Sequence, residues 1–271
     1  MRSTEDFVFH FTSAGAALSI VTSRQLWATN VEYLNDRFEG QLPNRALTWM
    51  VEKPDVYLPG VTAPQKHLEA LRCSLSHGRV AYASSFSEHY RSLPQYRMYC
   101  PETGGYAVGF PRAYLSKIGM FIKCDYSNSN LMQWCSQYAK EFLADASALD
   151  NGDLSAEDLS RAVTSRKTYI HDRVMAALTF KSNEFVNELE HRLVAIGLAQ
   201  RFRESPGRNL IVPYGVIDLP NEDIEVVIAS GPNRSPDFVG KTIGFLSIAA
   251  KEFGTKWNIG PLGTGEYGFR A

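Results

Sequence analysis

The sequence contains few features that would tie the chain to a membrane, a disulfide framework or a zinc site. Its four cysteines, Cys73, Cys100, Cys124 and Cys135, are widely separated and form no CxxC pair. The opening MRSTEDFVFH includes acidic residues and lacks a long apolar segment, and no later apolar run approaches the roughly 20 residues that span a bilayer. These absences predict a cytoplasmic protein with reduced thiols and no membrane partner.

The chain also lacks a dominant charge. It has 28 basic and 29 acidic residues, a formal net charge of -1, which excludes a globally basic nucleic-acid binder but leaves room for a local basic face. With 271 residues, of which 44% are hydrophobic, the chain can bury a large core. No repeat, low-complexity tract or linker is visible, so we predict a single domain over residues 1–271.

Known catalytic signatures are missing as well. The sequence has neither HExxH nor GxSxG, which argues against a zinc protease and a serine hydrolase. GPLGTGEYG lacks the lysine and hydroxyl residue of a phosphate loop, and GGYAVGF lacks the glycine spacing of a dinucleotide fingerprint. Any nucleotide chemistry must therefore use another type of site.

Strand-like and helix-like segments follow one another without the regular alternation of a doubly wound sheet. We therefore predict an α+β fold with a mixed, mainly antiparallel, strongly bent sheet that is flanked by helices. The predicted strands are FVFHFTS, QLWAT, RVAYASSFS, GGYAVGF, GMFIKCDY, RLVAIG, LIVPYG and IEVVIAS.

Helices are predicted where apolar residues recur at helical spacing. Ser13 suits the N-cap of a first helix, and Pro64 and Gly78 suit the start and stop of a second. The remaining predicted helices carry the stripe Leu131, Cys135, Tyr138 and Phe142, the stripe Leu159, Val163, Ile170, Val174 and Leu178 after a capping box at Ser155 and Asp158, and the segment SPDFVGKTIGFLSIAAKEFG.

Two polar segments near the amino terminus are candidate ligand contacts. His10 lies within FVFHFTS, where it is either a half-buried histidine with one hydrogen bond or a ligand-binding residue. In YLNDRFEG, the residues Asn35, Asp36 and Arg37 form either a turn before a salt-bridged helix start or the polar rim of a pocket.

The segment SFSEHYRSLPQYRMY is rich in hydroxyl groups and aromatic rings and contains Arg91 and Arg97. Arginine forks can clamp a phosphate while aromatic rings stack on a base. Packing of the rings in the core would explain the aromatic residues equally well.

The segment NELEHRLVAIG places charged groups immediately before an apolar strand. Glu190 and Arg192 are two residues apart, so on an extended chain their side chains point to the same face and can pair. The pair is either a surface contact worth at most about 1 kcal/mol or a fixed, ionised carboxylate that stabilises a positive reaction centre.

The motifs of this sequence, in their order, resemble those of a large bacterial family of domains of unknown function. That family carries a strand ending His-Tyr-Thr or similar, a Leu-Asn-Asp-x-x-Glu segment, Ser-Phe-Ser-Glu, a Leu-Ser-Gln-Trp-Arg-x-Tyr stretch, a Gly-x-x-Gly-Phe strand and a late Glu-x-Glu-x-Arg. The corresponding segments are FHFTS, LNDRFEG, SFSEHYRSLPQYRMY, GGYAVGF and FKSNEFVNELEHRL, so the resemblance spans nearly the whole chain. Tyr96 replaces the usual tryptophan and Pro94 the usual serine of the third segment.

The opening strand, small-residue helix and short strand also resemble the start of the ADP-ribosyltransferase fold, including DNA-targeting bacterial toxins. In those enzymes a strand histidine binds a ribose of NAD, and a glutamate at the head of a later strand completes the site. The resemblance assigns these roles to His10, within a His-x-Thr pattern that ends at Thr12, and to Glu190. Glu188 supplies the E-x-E spacing of some members.

The same resemblance implies further contacts to NAD. Trp27 or Tyr33 would supply a stacking aromatic ring, Arg37, Arg91 or Arg97 would neutralise the pyrophosphate, and Arg192 would keep the catalytic carboxylate ionised. It also implies that His10, Tyr33 and Glu190 line one cleft.

The resemblance implies an NAD-consuming enzyme with a nucleic acid or a protein as acceptor, in a toxin or phage-defence role and with a neutralising partner. No metal is required, because a carboxylate can stabilise the cation that develops on the ribose. Two alternatives stay open. One is a nucleotide or nucleic-acid binding module of the same fold without catalysis, and the other is a structural or regulatory protein that uses Glu190 and Arg192 only as a clamp.

Overall fold

The computed structural model describes residues 6–34, 40–75, 81–101, 104–166, 168–205, 209–231 and 239–262. The strands are β1 (Phe7–Thr12), β2 (Gln25–Asn30), β3 (Ala81–Ser87), β4 (Tyr106–Pro111), β5 (Met120–Lys123), β6 (Glu190–Ile196), β7 (Arg201–Ser205), β8 (Leu210–Asp218), β9 (Glu225–Ser230) and β10 (Asn258–Pro261). The α-helices are α1 (Ala14–Ser23), α2 (Leu42–Glu52), α3 (Pro54–Tyr57), α4 (Gln65–Ser74), α5 (Leu93–Tyr99), α6 (Arg112–Ile118), α7 (Asn128–Leu149), α8 (Ala156–Arg166), α9 (Tyr169–Thr179) and α10 (Val239–Glu252).

The chain forms two compact units, each assembled from separate stretches of sequence. We call the first the sheet unit; it consists of Met1–Asn30, Tyr82–Lys123 and Val186–Ala271. The second, the helical unit, consists of Val31–Ala81 and Cys124–Phe185. The single domain over residues 1–271 stays a prediction.

One sheet dominates the sheet unit. Its strand order is β10-β9-β4-β1-β3-β2-β8-β7, and β6 pairs with both β3 and β5. The registered pairs are antiparallel, apart from the parallel pair of β9 and β10. This architecture confirms the predicted α+β class with a mainly antiparallel sheet that is flanked by helices, whereas the strong bend stays a prediction.

Two hydrophobic cores lie on the two faces of β1, as alternation requires. Val8 belongs to a large core that includes Phe86 and Leu193. Phe9 belongs to a smaller core on the opposite face. Gly109 lies opposite Phe9 in β4, where an added Cβ would come within 2.6 Å of the phenyl ring, so the ring requires a glycine there.

Local capping explains two helix starts that the sequence predicted. The Ser13 side chain accepts a hydrogen bond from the backbone N–H of Ala16, at 3.2 Å, and begins α1. Before α8, the backbone N–H of Asp158 donates to Ser155 Oγ at 3.1 Å, and that hydroxyl donates to the Asp158 carboxylate at 2.7 Å. Both predicted caps are therefore confirmed.

The helical unit has its own core, built around α7. The predicted stripe Leu131, Cys135, Tyr138 and Phe142 is buried there. Helix α4 begins directly after Pro64, as predicted, whereas the predicted stop at Gly78 lies outside the described residues. The apolar pattern of residues 159–178 corresponds to two helices, α8 and α9, rather than one continuous helix.

Among the described residues, we find no helix that combines the length and the apolar character needed to cross a membrane.

Candidate functional site

The head of β6 carries a buried ion pair. Arg192 Nε donates to Glu190 Oε1 at 2.9 Å, and Arg192 Nη2 donates to Glu190 Oε2 at 3.2 Å. The two residues are only 0% and 3% exposed. The predicted pairing is thus confirmed, but the pair is a buried fork contact and not the surface contact that the sequence also allowed. Removing two charges from water costs several kcal/mol. Their attraction offsets that cost only when the hydrogen-bond geometry is good, as it is in this fork contact.

The backbone directly before this pair adopts an unusual conformation. Leu189 has φ 44°, in the left-handed region, which costs a leucine about 1–2 kcal/mol. Two contacts from the end of β3 hold it. Ser87 Oγ donates to the Glu188 carbonyl oxygen at 2.7 Å, and the Glu88 backbone N–H donates to the Leu189 carbonyl oxygen at 3.3 Å. The buried Glu188 therefore lies in the anchored backbone that precedes Glu190.

His10 is held by the neighbouring strand β3. Its Nδ1 lies 3.0 Å from the Ser85 carbonyl oxygen, and its ring centroid lies 5.6 Å from that of Phe86. Because a carbonyl oxygen only accepts hydrogen bonds, Nδ1 carries the proton and Nε2 is the acceptor of the neutral ring. Burial lowers the pKa of His10 below 6.5 and the charge of Arg203 lowers it further, against the hydrogen bond to Ser85. The imidazole is therefore neutral at physiological pH.

Strand alternation separates His10 from Glu190. His10 lies on the same face of β1 as Val8, which belongs to the large core together with Leu193 of β6. Glu190 is three residues from Leu193 along β6 and so points to the opposite face. The structure thus does not bring these two predicted site residues to one face of the sheet.

Trp27, the predicted stacking residue on β2, lies in a patch of aromatic and cationic groups. Its side chain is 48% exposed, and its ring centroid lies 4.8 Å from that of Tyr214. The guanidinium carbon of Arg203 lies 5.9 Å from the Trp27 centroid, and Arg203 Nη2 donates to Thr29 Oγ1 at 2.9 Å. An exposed indole beside a guanidinium can stack a planar ring and attract an anionic substituent.

Three other predicted contacts, Thr12, Arg91 and Arg97, belong to the sheet unit. Thr12 is buried and accepts a hydrogen bond from Cys100 Sγ through its carbonyl oxygen at 3.3 Å. Arg91 is exposed and stacks on Tyr90, whose ring lies 5.4 Å from Phe9. Arg97 is an exposed residue in the last turn of α5.

Three predicted contacts, Asn35, Asp36 and Arg37, fall outside the described residues. Tyr33 ends a short 3₁₀ helix in the helical unit and is 36% exposed.

A second charged cluster, which we call the Glu88 cluster, lies on the opposite face of the β6 head from Glu190. It consists of Glu88, Arg112, Lys123 and His191. Glu88 Oε1 lies 2.8 Å from His191 Nε2, 3.0 Å from Lys123 Nζ and 3.3 Å from Arg112 Nη2. The pairing of β5 with β6 sets Lys123 directly opposite His191, and this register brings the cluster together.

Electrostatics keeps Glu88 ionised. Burial alone would raise the pKa of Glu88, but the hydrogen bonds from His191 and Lys123 and the charge of Arg112 bring that pKa to about 2. Burial lowers the pKa of His191, and this effect outweighs the opposing contact with Glu88. The cluster therefore holds a carboxylate, two cations and a neutral imidazole at physiological pH.

One atom of the Glu88 cluster faces incompatible partners. His191 Nε2 lies 2.8 Å from Glu88 Oε1 and also 2.8 Å from Arg112 Nη1. A carboxylate only accepts and a guanidinium only donates, so Nε2 satisfies one of them at a time. Choice of tautomer gives the cluster two hydrogen-bond arrangements.

Sequence reasoning missed the Glu88 cluster and Arg203. Glu88 stands in the quoted SFSE motif directly after a predicted strand, and this position could have indicated it. Arg203 lies in RFRES, which is too polar to be recognised as a strand by its pattern.

Within the described ranges, we find no group of three or more histidine, cysteine, aspartate or glutamate side chains placed to hold a metal ion. No protein-family model matches the chain, and no curated protein or solved structure matches it either. Both family resemblances stay predictions.

Proposed function

We propose that the protein is an NAD-consuming ADP-ribosyltransferase-like enzyme that uses Glu190 as its essential carboxylate and modifies a nucleic acid or a protein. The observation that supports this most is the fork contact of Arg192 with Glu190 at the head of β6. The contact holds a carboxylate in one orientation, on the strand position at which the resemblance puts the catalytic glutamate.

The chemistry explains why an anchored carboxylate is useful. When the bond between nicotinamide and ribose C1 breaks, nicotinamide leaves with the bonding electrons and positive charge develops on the ribose. A fixed carboxylate stabilises that cation without having to reorganise. The acceptor nucleophile then forms a bond to C1 and loses a proton, so no metal is needed.

Other residues of the sheet unit fit the binding of NAD. Trp27 offers an exposed ring with Arg203 beside it. The arrangement limits the proposal in one way: because His10 and Glu190 lie on opposite faces, Glu190 carries the catalytic role without His10.

The second candidate function is a nucleotide or nucleic-acid binding module that shares the fold and lacks catalysis. The 3% exposure of Glu190 favours it, because a catalytic carboxylate must reach its substrate. In that case Arg192 and Glu190 stabilise the fold, while Trp27 and Arg203 bind the ligand.

One experiment separates the two candidates. The purified protein is incubated with NAD and nucleic-acid or protein acceptors, and released nicotinamide is measured for wild type, Glu190→Gln and the control Glu184→Gln, which alters an exposed acid just before β6. Release that is lost in Glu190→Gln and kept in the control supports the enzyme, provided that thermal unfolding shows a folded variant.

Binding of NAD without release of nicotinamide, whatever the acceptor, supports the module instead. If the protein releases no nicotinamide and binds neither NAD nor the nucleic-acid acceptors, both proposals fail.

A further inference from the structure

The Glu88 carboxylate uses one oxygen for the contacts of its cluster. The hydrogen bonds from His191 and Lys123 both end on Oε1, and the nearest Arg112 nitrogen also approaches Oε1. Among the described residues, Oε2 receives no hydrogen bond, and the side chain is 21% exposed. An ionised carboxylate with an open oxygen is a strong acceptor for a hydroxyl donor.

Cationic groups lie beside the Glu88 carboxylate. Arg112 and Lys123 are cations, Glu88 is the acid that they approach, and His191 is neutral at physiological pH. Lys123 is 59% exposed, and its ammonium group has three N–H donors, of which the contact to Glu88 uses one. The remaining donors can bind an anion, and lysine binds phosphate as a point charge.

The site is also held in place. The His191 ring stacks on Phe121 at 5.3 Å with an interplanar angle of 17°, and Phe121 contacts Phe86 at 5.8 Å. Because His191 cannot turn away without losing this stacking, its Nε2 stays 2.8 Å from Glu88 Oε1, and the direction of Oε2 is fixed with it. A ligand would meet an acceptor and an ammonium group that are already in place.

We propose that the Glu88 cluster is a second binding site for a ligand with a hydroxyl group close to a phosphate, that is, a ribose phosphate. The 2-hydroxyl of the ribose donates to Glu88 Oε2, and the phosphate accepts from Lys123 Nζ. The inference is independent of NAD turnover, because the cluster lies on the face of β6 opposite to Glu190.

Calorimetric titration tests the site with ribose 5-phosphate, 2-deoxyribose 5-phosphate and inorganic phosphate. We expect wild type to bind ribose 5-phosphate about tenfold more tightly than the deoxy sugar, the value of one hydrogen bond to a charged group. Glu88→Ala should remove this preference, and Lys123→Ala should weaken the binding of all three ligands. A titration with AMP shows whether the ligand is a nucleotide or a free sugar phosphate. Tighter binding of AMP than of ribose 5-phosphate indicates a nucleotide, and weaker binding indicates a free sugar phosphate.

Lys117 and Glu222 provide matched controls in the same unit, because they form an exposed pair with 3.7 Å between Nζ and Oε2. Lys117→Ala and Glu222→Ala should leave all affinities unchanged, as should Glu190→Gln, which separates this site from the proposed NAD site. Equal binding of the two sugars by wild type, a preference that survives in Glu88→Ala, or no binding of any ligand would overturn the proposal. Thermal unfolding of each variant identifies a loss of folding, and Glu88→Gln then replaces a misfolded Glu88→Ala.

Discussion

Two acids lie at opposite faces of the β6 head and differ in their surroundings: Glu190 begins β6, and Glu88 directly follows β3. Glu190 forms a fork with Arg192, and both side chains are almost completely buried. Glu88, across the strand, shares one oxygen among several cationic or imidazole groups and stays partly open to solvent. The buried pair is enclosed by protein, whereas the Glu88 side chain of the open cluster is 21% exposed. Burial, and not residue type, therefore determines how strongly each acid affects the free energy of unfolding.

The largest effect should follow from Arg192→Leu. This change removes the fork partner of Glu190 and leaves a carboxylate in the interior, which should lower the free energy of unfolding by about 3–5 kcal/mol. Denaturant unfolding measures it. The double variant Glu190→Met with Arg192→Leu should recover most of the loss. A loss below about 1 kcal/mol in the single variant would show that the pair contributes no more than a solvent-exposed salt bridge.

A smaller effect is expected for Ser87→Ala. The buried Ser87 hydroxyl donates to the Glu188 carbonyl oxygen, and without it that acceptor loses its bond, at a cost of about 1–2 kcal/mol. Ser85→Ala on the same strand is the control, because the Ser85 hydroxyl makes no hydrogen bond among the described residues. Equal stabilities of the two variants in urea would mean that Ser87 does not hold the strand head.

Lowering the pH should remove the stabilisation that the ionised Glu88 carboxylate provides. The folded pKa of Glu88, about 2, lies below the unfolded value of about 4.3. Its contribution is therefore complete above the unfolded pKa and is lost as the pH falls through the folded pKa. Glu88→Gln should be less stable than wild type by about 1 kcal/mol near neutral pH, a value that allows for solvent screening. The difference should shrink steadily in unfolding curves recorded below about pH 4. A difference that is independent of pH would contradict the assignment.

The smallest effect is expected at the rim of the open cluster. Lys123→Ala should change the free energy of unfolding by less than about 0.5 kcal/mol, similar to Lys117→Ala, because both lysines are largely exposed. Thermal unfolding of the two variants provides the measurement. A much larger loss for Lys123→Ala would mean that Lys123 supports the fold, and the cluster would then resemble the buried pair.

Local patterns allowed part of this structure to be predicted. The Glu190 and Arg192 pair was predictable because residues two apart on a strand share a face. The caps at Ser13 and Ser155 were predictable because each depends on residues within one helical turn. Alternation along β1 likewise requires Phe9 and His10 to face opposite ways.

Features that depend on distant pairing were not predictable in this way. Glu88, Arg112 and Lys123 come from three different elements, and only the register of β5 with β6 sets Lys123 beside His191. Likewise, the short β10 pairs with β9 in parallel, and its four residues carry too little pattern to indicate a strand. The relation of His10 to Glu190 depended on which face each strand turns to the core, and no local pattern specifies this.

The left-handed Leu189 gives the strand head a further property. Its conformation persists because the neighbouring strand end holds the peptide groups on either side of it. One of those contacts comes from the Glu88 backbone N–H, which donates to the carbonyl oxygen of Leu189, the residue directly before Glu190. Without the Glu88 backbone contact, the peptide unit that leads into Glu190 would lose one of its two anchors, so the end of β3 helps to set the position of the acid at the head of β6.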